Sequence, residues 1–325
     1  MNKIQLPAAS DAKVALDVLI LTRNEEKNIG DCLRSVAWAQ EIFVVDSGST
    51  DRTGEIAESL GARVFAHPFN GYANQRNWAL DHLPFSNEWL LMLDADERVP
   101  AALATEIVAV VRNDGNTYAG FYLSLRLIFL GRWLKHGGLY PTWIFRLFKR
   151  QGVRFEERPV NEHAIFQGAA GYLRSSFDHC DSRPLSDWIA KHNRYTDLEA
   201  DEYLHEKSRG GYPTAIAPDW WGSQAERKRW IKLRLWNRLP PLVRPFLFFC
   251  RNYLLKRGFL DGWQGFVYHV LWSFWVRFLI DAKIVERQMR AGSAGLGGGR
   301  SDMDTNPSPR SVSVVFDENK DTWAR

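Results

Sequence analysis

Between Ala15 and Val111, apolar and polar residues come in alternating blocks of two different periods. Ala15 to Leu21 is a short apolar run, the pattern of a strand buried on both faces. In the next block Ile29, Cys32, Leu33 and Val36 recur at helical spacing, which predicts a helix capped by Asn24 with Glu25 and Glu26 in its first turn. Ile42 to Val45 repeats the strand pattern. After a Ser-Gly-Ser-Thr turn, Ile56, Ala57 and Leu60 mark a helix that Gly61 stops. Arg63 to Ala66 reads as a third strand and Trp89 to Leu93 as a fourth. Pro100 then opens a helix carrying Leu103, Ile107 and Val111. Strands alternating with helices predict an α/β fold on a doubly wound, mostly parallel sheet.

From Gly120 to Cys180 the pattern is mixed, with aromatic and Arg-rich pieces, and is expected to complete the same unit, giving one domain over 14–184. A helix is predicted from Leu185 to Lys207, a Gly- and Pro-containing loop over 208–222, and a helical, basic and aromatic stretch over 223–290. The extension thus spans 185–290. From Ala291 the chain is rich in Gly, Ser, Asp and Pro, so 291–325 is expected to be a disordered tail.

Bulk composition alters this little. Hydrophobic content of 45% and charged content of 25% are those of a globular protein, and a formal charge of only +4 makes nucleic acid an unexpected partner. The three cysteines, Cys32, Cys180 and Cys250, lie too far apart for a zinc knuckle or a disulfide framework, which favours a reducing compartment. Met1 to Asp17 has no apolar core of signal-peptide length. Tryptophan does change the picture. Many of the 14 Trp lie beyond position 187, where Lys and Arg also thicken between Arg227 and Arg257. Trp rings favour membrane interfaces. The longest mainly apolar stretch, Gly265 to Ile280, holds His269 and Arg277 and falls short of the ~20 residues of a spanning helix. The extension is therefore expected to lie on a membrane surface.

Open α/β sheets bind ligands beyond the carboxyl ends of their strands. Three polar clusters fall there: Thr22-Arg23-Asn24-Glu25, Asp46-Ser47-Gly48-Ser49-Thr50-Asp51 and Asp94-Ala95-Asp96-Glu97. Asp94 and Asp96 repel each other unless a cation is near, and hard oxygen ligands suit Mg²⁺ or Mn²⁺. Such an ion would bridge a diphosphate leaving group. No Gly-x-Gly-x-x-Gly follows the first strand and no phosphate-loop motif occurs, so a nucleotide must be held by side chains and a metal.

The run from Leu21 to Glu26, Val44 to Asp51, Gln75-Arg76-Asn77 and Leu93 to Glu97 resembles, in order and spacing, family-2 glycosyltransferases of the GT-A fold. Phe129-Leu130-Gly131-Arg132-Trp133, His136-Gly137-Gly138, Arg146-Leu147-Phe148 and Gly258 to Gly262 look like the lipopolysaccharide-core branch, extending the resemblance over about 15 to 285. The resemblance implies an inverting transfer of one sugar from a nucleotide-sugar, a UDP-sugar by preference, to a lipid-linked or lipopolysaccharide-core saccharide. A lipid-linked acceptor would make attachment useful, so the aromatic, basic extension is expected to hold the enzyme peripherally on the inner face of the cytoplasmic membrane. Thr22, Arg23 and Glu25 would border the nucleoside, and Asp46 would accept a hydrogen bond from the base. Arg76 would reach the nucleoside or diphosphate. Asp94 would lie near the ribose or metal, and Asp96 would bind the metal, with His179 as a further ligand. Relatives often carry a His-Glu pair after Arg-Leu-Phe. Here the sequence reads Asn161-Glu162-His163, so Glu162 is the expected general base and Glu157 the second candidate. The Gln-x-x-Arg-Trp signature of processive members is not matched between Gln224 and Trp230. Two other classes remain open at this level: a nucleotidyltransferase, and a degenerate nucleotide-binding module without turnover.

Overall fold

The computed structural model describes residues 13–113, 117–156, 163–209 and 239–296, with a few positions between 219 and 234. Eleven strands are described: β1 (Val14–Thr22), β2 (Ala39–Asp46), β3 (Arg63–Ala66), β4 (Trp89–Asp94), β5 (Glu97–Arg98), β6 (Gly120–Phe129), β7 (Arg132–Leu134), β8 (Thr142–Lys149), β9 (Arg154–Phe155), β10 (Ala164–Ile165) and β11 (Ala170–Cys180). Nine form one sheet in the order β3-β2-β1-β4-β8-β6-β11-β5, with β7 on β6; β9 and β10 form a separate hairpin.

The sheet has two halves. β1, β2, β3 and β4 pair in parallel, as the alternating pattern predicts, and are joined by α1 (Ile29–Ser35), α2 (Thr53–Ser59) and α3 (Tyr72–His82). β1 is buried at every position but Ala15, because helices cover both faces. Val18, Ile20, Leu33 and Leu103 share one core with α1 and with α4 (Ala101–Val111); Leu19, Phe43, Ala79 and Leu80 share the other with α3.

The second half corrects the expectation of a mostly parallel sheet. β8 runs antiparallel to both β4 and β6, and β7 antiparallel to β6; only β11 returns parallel to β6. A parallel return needs a long crossover, whereas β6 and β7 are joined by Leu130 and Gly131 alone. Both residues have positive φ, 48° and 75°, the geometry of a tight two-residue hairpin turn. A second correction concerns the first helix. It starts at Ile29, and Asn24 does not cap it. Asn24 sits at φ 53° with its side-chain oxygen accepting the Thr50 amide at 2.8 Å, so its polar group serves a neighbouring loop instead.

α5 (Leu185–Arg209) follows β11. After α6 (Arg244–Phe249) the helix widens into a π turn over Cys250–Leu255, and a 3₁₀ turn spans Gly258–Asp261. α7 (Gly262–Tyr268) continues through a second π turn, His269–Val276, into α8 (Arg277–Leu296). α8 runs past 291, where the tail was expected to begin; positions from 297 on, and most of the expected 208–222 loop, lie outside the described residues. Phe129 of β6 packs edge-on against Tyr268 of α7 at 5.2 Å and against Trp188 of α5 at 6.3 Å, so sheet and extension share a core. Among the described residues no helix is long and apolar enough to cross a membrane.

The distant glycine motifs meet at this junction. His136 donates its amide to Asp261 at 2.8 Å and sets Nδ1 2.7 Å from the same carboxylate; the Gly137 amide bonds the Lys256 carbonyl at 2.9 Å. Gly137 has φ 69°, and a Cβ there would lie 2.1 Å from His269 Nε2, so no larger residue fits.

Arg244 and Asp281 lock α6 to α8. Both are almost fully buried, the guanidinium Nε lies 2.9 Å from each carboxylate oxygen, Nη2 bonds the same carboxylate, and the Leu242 amide donates to it as well. Removing one partner strands a buried charge. Asp281→Ala is expected to lower stability by about 3–5 kcal/mol, read as an earlier urea midpoint. A midpoint equal to that of the unaltered protein would show the pair to be solvated.

Candidate active site

In-register pairing places the three polar clusters on one edge. Thr22 pairs with Asp46 across β1 and β2, and Leu21 with Asp94 across β1 and β4. The first two loops are then stitched together. The Asn24 amide bonds Ser49 Oγ and the Glu25 amide bonds Thr53 Oγ1, each at 2.8 Å. Asp46 accepts the Ser49 hydroxyl at 2.6 Å and its amide at 3.1 Å, which orients the half-buried carboxylate and leaves acceptor capacity over. Gln75 of α3 reaches Ser47 Oγ at 2.9 Å. Between the loops opens a cleft lined by Thr22, Arg23, Glu25, Ser47, Tyr72 and Asp96 among others.

At the end of β4 one guanidinium ties two acids. Arg146 Nη2 donates to Asp94 Oδ2 at 2.8 Å and to Glu97 Oε1 at 2.6 Å, while Glu97 Oε2 accepts the Asp94 amide at 2.9 Å. All three residues are buried. Burial pushes the Glu97 carboxyl up to about 7, opposed by Arg146 and assisted by Asp96. Arg146 belongs to the Arg-Leu-Phe marker of the sequence, where it carried no site role; its burial between acids gives it one.

Asp96 lies one residue further. It is 2% exposed, and among the described residues its Oδ1 accepts no hydrogen bond. β5 pairs antiparallel with β11, matching Glu97 to His179, and the Cys180 amide bonds the Asp96 carbonyl at 2.8 Å. His179 Nδ1 thereby stands 3.5 Å from Asp96 Oδ1. Burial disfavours the Asp96 carboxylate, but His179 and then Lys191 outweigh it and hold its pKa below the ordinary carboxylate value. The described residues hold no group of three or more His, Cys, Asp or Glu able to take a metal. An anionic oxygen without a donor beside an imidazole nevertheless fits a divalent ion of the kind that takes one or two protein ligands and completes its shell with substrate phosphates and water.

The wall behind Asp96 was not legible in the sequence. Arg183, just after β11, binds Asp181 at 2.7 and 2.8 Å and Glu25 Oε1 at 3.1 Å, and Lys191 of α5 lies 3.9 Å from Asp181. Asn28 Nδ2 holds the other Glu25 oxygen at 2.7 Å. Burial, and then Asp96, raise the Glu25 carboxyl to about 7 despite Arg183 and Asn28. Asp181 and Arg183 follow two and four residues after His179, with no motif to single them out.

Arg76 is buried with its guanidinium 5.3 Å above the Phe155 ring; burial, then Arg146, lower its pKa to about 10, which leaves it cationic at neutral pH. Its neighbour Asn77 holds the Phe155 backbone at both ends, donating to the carbonyl at 3.0 Å and accepting the amide at 2.9 Å. Glu156, also buried, accepts the His163 amide at 3.2 Å, and its own amide bonds the His163 carbonyl at 3.0 Å. The candidate bases Glu157 and Glu162 lie between those two residues and outside the described residues. The chain enters and leaves that stretch from a hairpin fixed to α3.

Comparison with known proteins agrees with this arrangement. The chain is similar to the lipopolysaccharide core biosynthesis glycosyltransferase LpsC of Rhizobium meliloti, at 28% identity over 285 residues, covering 85% of this chain and 93% of that protein. It is similar to an uncharacterized glycosyltransferase of Rickettsia typhi, at 24% identity over 288 residues, covering 85% and 88%. Residues 1–349 of S. aureus TarS superpose with a TM-score of 0.42 at 14% identity, covering 85% of this chain and 91% of that one, a likeness too remote to bear on chemistry. The family model for glycosyl transferase family 2 matches residues 17–180, just over half of the chain and the whole span from Asp17 through His179. With its GT-A-like doubly wound mixed sheet and its carboxylate edge, the protein is a glycosyltransferase and belongs to family 2.

Proposed function

We propose that the protein transfers one sugar, with inversion, from a UDP-sugar to a lipid-linked or lipopolysaccharide-core saccharide, with Mg²⁺ or Mn²⁺ at the donor. The observation that carries this reading is Asp96, a buried carboxylate kept anionic beside His179 where the cleft opens. A divalent ion held there supplies Lewis-acid neutralisation of the departing diphosphate. Thr22, Arg23 and Glu25 border the nucleoside, and Asp46, already oriented by Ser49, accepts from the base. Arg76 gives the diphosphate a permanent cation. Arg146 fixes Asp94 so that one carboxylate oxygen stays turned to its own bridge with Glu97. Glu162 takes the proton of the acceptor hydroxyl, with Glu157 as the second candidate; Glu156 is committed to His163 and is excluded.

The extension supports attachment to the inner face of the cytoplasmic membrane. Leu254, Leu255, Phe259 and Trp263 are exposed, Leu255 by 80% and Trp263 by 63%. Arg251, Lys256 and Arg257 are exposed among them. The one acidic residue from 242 to 276, Asp261, is buried against His136. An apolar tip ringed by cations fits an anionic lipid surface.

Three outcomes check the proposal. Asp96→Asn is expected to abolish metal-dependent transfer with the melting temperature unchanged, and full activity of the unaltered protein in EDTA would remove the metal from the reaction. Glu162→Gln is expected to cut turnover about 10²–10⁴-fold with UDP binding intact; the same phenotype in Glu157→Gln instead would reassign the base. Sedimentation with vesicles is expected to rise with anionic lipid content and fall with salt. Protein that stays in the supernatant at every composition would refute the membrane attachment.

A further inference from the structure

We infer that the exposed aromatic face of β6, β8 and β11, on the α3 side of the sheet, is a saccharide subsite for the acceptor. The inference rests on the reading of the acceptor as a saccharide. Tyr172 is 58% exposed and stacks on Tyr122, with ring centroids 5.1 Å apart and planes at 19°. Trp143 meets Tyr172 edge-on at 5.0 Å and 84°. Of the three rings Tyr172 is exposed and Tyr122 and Trp143 are half-buried, and an exposed ring of this size presents a flat apolar surface to water.

The border of this surface is polar. Ser124 Oγ and Ser176 Oγ are 2.6 Å apart, and two residues along β11 Asp178 pairs with Arg126 at 2.5 Å, the latter lying 5.3 Å from the Trp133 ring. A pyranose has the matching anatomy, an apolar C–H face rimmed by hydroxyls that both donate and accept. The rings take the face. The half-buried Asp178 carboxylate and Arg126 guanidinium take the rim, each with capacity beyond the bond it already makes, whereas Ser124 is 1% exposed and, with Tyr140, serves Ser176. A lipid tail on the same face would desolvate those polar groups without replacing their bonds to water, which disfavours it.

Position ties the face to the reaction. Asp178 and the candidate metal ligand His179 are consecutive on β11, so the polar border and the metal site occupy opposite faces of one strand end. In the other direction Phe145 lies 5.3 Å from Tyr122 and stacks on Phe166 at 4.3 Å and 4°. Phe166 immediately follows β10, the strand that leaves the candidate-base stretch. Tyr172 pairs with Tyr122 and Tyr122 with Phe145, two residues beyond the Leu147–Leu91 pair toward the carboxyl end of β4, so a saccharide on Tyr172 lies level with that edge.

The test uses the full-length protein, Tyr172→Ala and Tyr172→Phe. The ring at 172 is exposed, so its loss leaves the core intact. Core oligosaccharide released from bacterial lipopolysaccharide by mild acid is titrated by Trp fluorescence, and UDP with Mn²⁺ by calorimetry. The unaltered protein and Tyr172→Phe are expected to bind the oligosaccharide alike, Tyr172→Ala about tenfold more weakly, and all three to bind UDP equally. Equal oligosaccharide affinity in Tyr172→Ala, or none in the unaltered protein, overturns the inference. So does loss of vesicle binding in Tyr172→Ala with its saccharide binding kept, which would make the face lipidic. Oligosaccharide binding that depends on Tyr172 in a protein that fails to bind UDP would support the subsite and overturn the donor reading instead.

Discussion

A buried guanidinium ties the acids at the end of β4 together. Glu25, Asp94, Asp96 and Glu97 converge where the sheet meets the cleft, and buried like charges of that number cannot coexist unbalanced. Arg146 bridges Asp94 and Glu97 and sits near enough to Arg76 to lower that residue's pKa. It can do so only because β8 is inserted antiparallel between β4 and β6, pairing Leu147 with Leu91. The mixed topology is thus more than a variation on a parallel sheet. It delivers a cation to the end of β4 from a strand remote in sequence.

The second ionic layer divides the acids into two kinds. Asp181 stays ionised because Arg183 and Lys191 more than offset its burial, and Asp96 because of His179 and Lys191. Glu25 and Glu97, whose partners do not overcome desolvation, rise to about 7. Groups of one chemical type are set apart by surroundings alone, so that carboxyls of different proton affinity share one site. Asp96 is the anion beside the imidazole.

Much of this was legible in the sequence where a residue's role is local. The strand Arg63 to Ala66, the helix after Pro100 and the stop at Gly61 follow from period, proline and glycine, and the structure has each of them. Failures occurred where a side chain serves a distant segment. Asn24 looks like a helix cap, yet its oxygen is taken by Thr50, and no local rule weighs that competitor. Strand direction after Gly120 could not be read, because it depends on connection length and periodicity is the same in either direction. Asp181, Arg183 and Lys191 carry no motif. Their role arises from the β5–β11 pairing that folds the end of β11 against Asp96. His179 could be proposed as a ligand only on the chemistry of its imidazole, since a lone histidine in a strand has no pattern of its own.

The two π turns have a consequence for how the chain can vary in length. An α-helix turns about 100° per residue, so one residue accommodated in a widened turn rotates everything after it by that amount. Arg277 reaches Glu199 at 3.1 Å and Asp281 reaches Arg244 only downstream of His269–Val276. Upstream, the same helix is pinned at Asp261 by His136. The count of residues from Asp261 to Asp281 is therefore a phase setting. Deleting one residue would swing the carboxylate of position 281 off its guanidinium even though every side chain was retained.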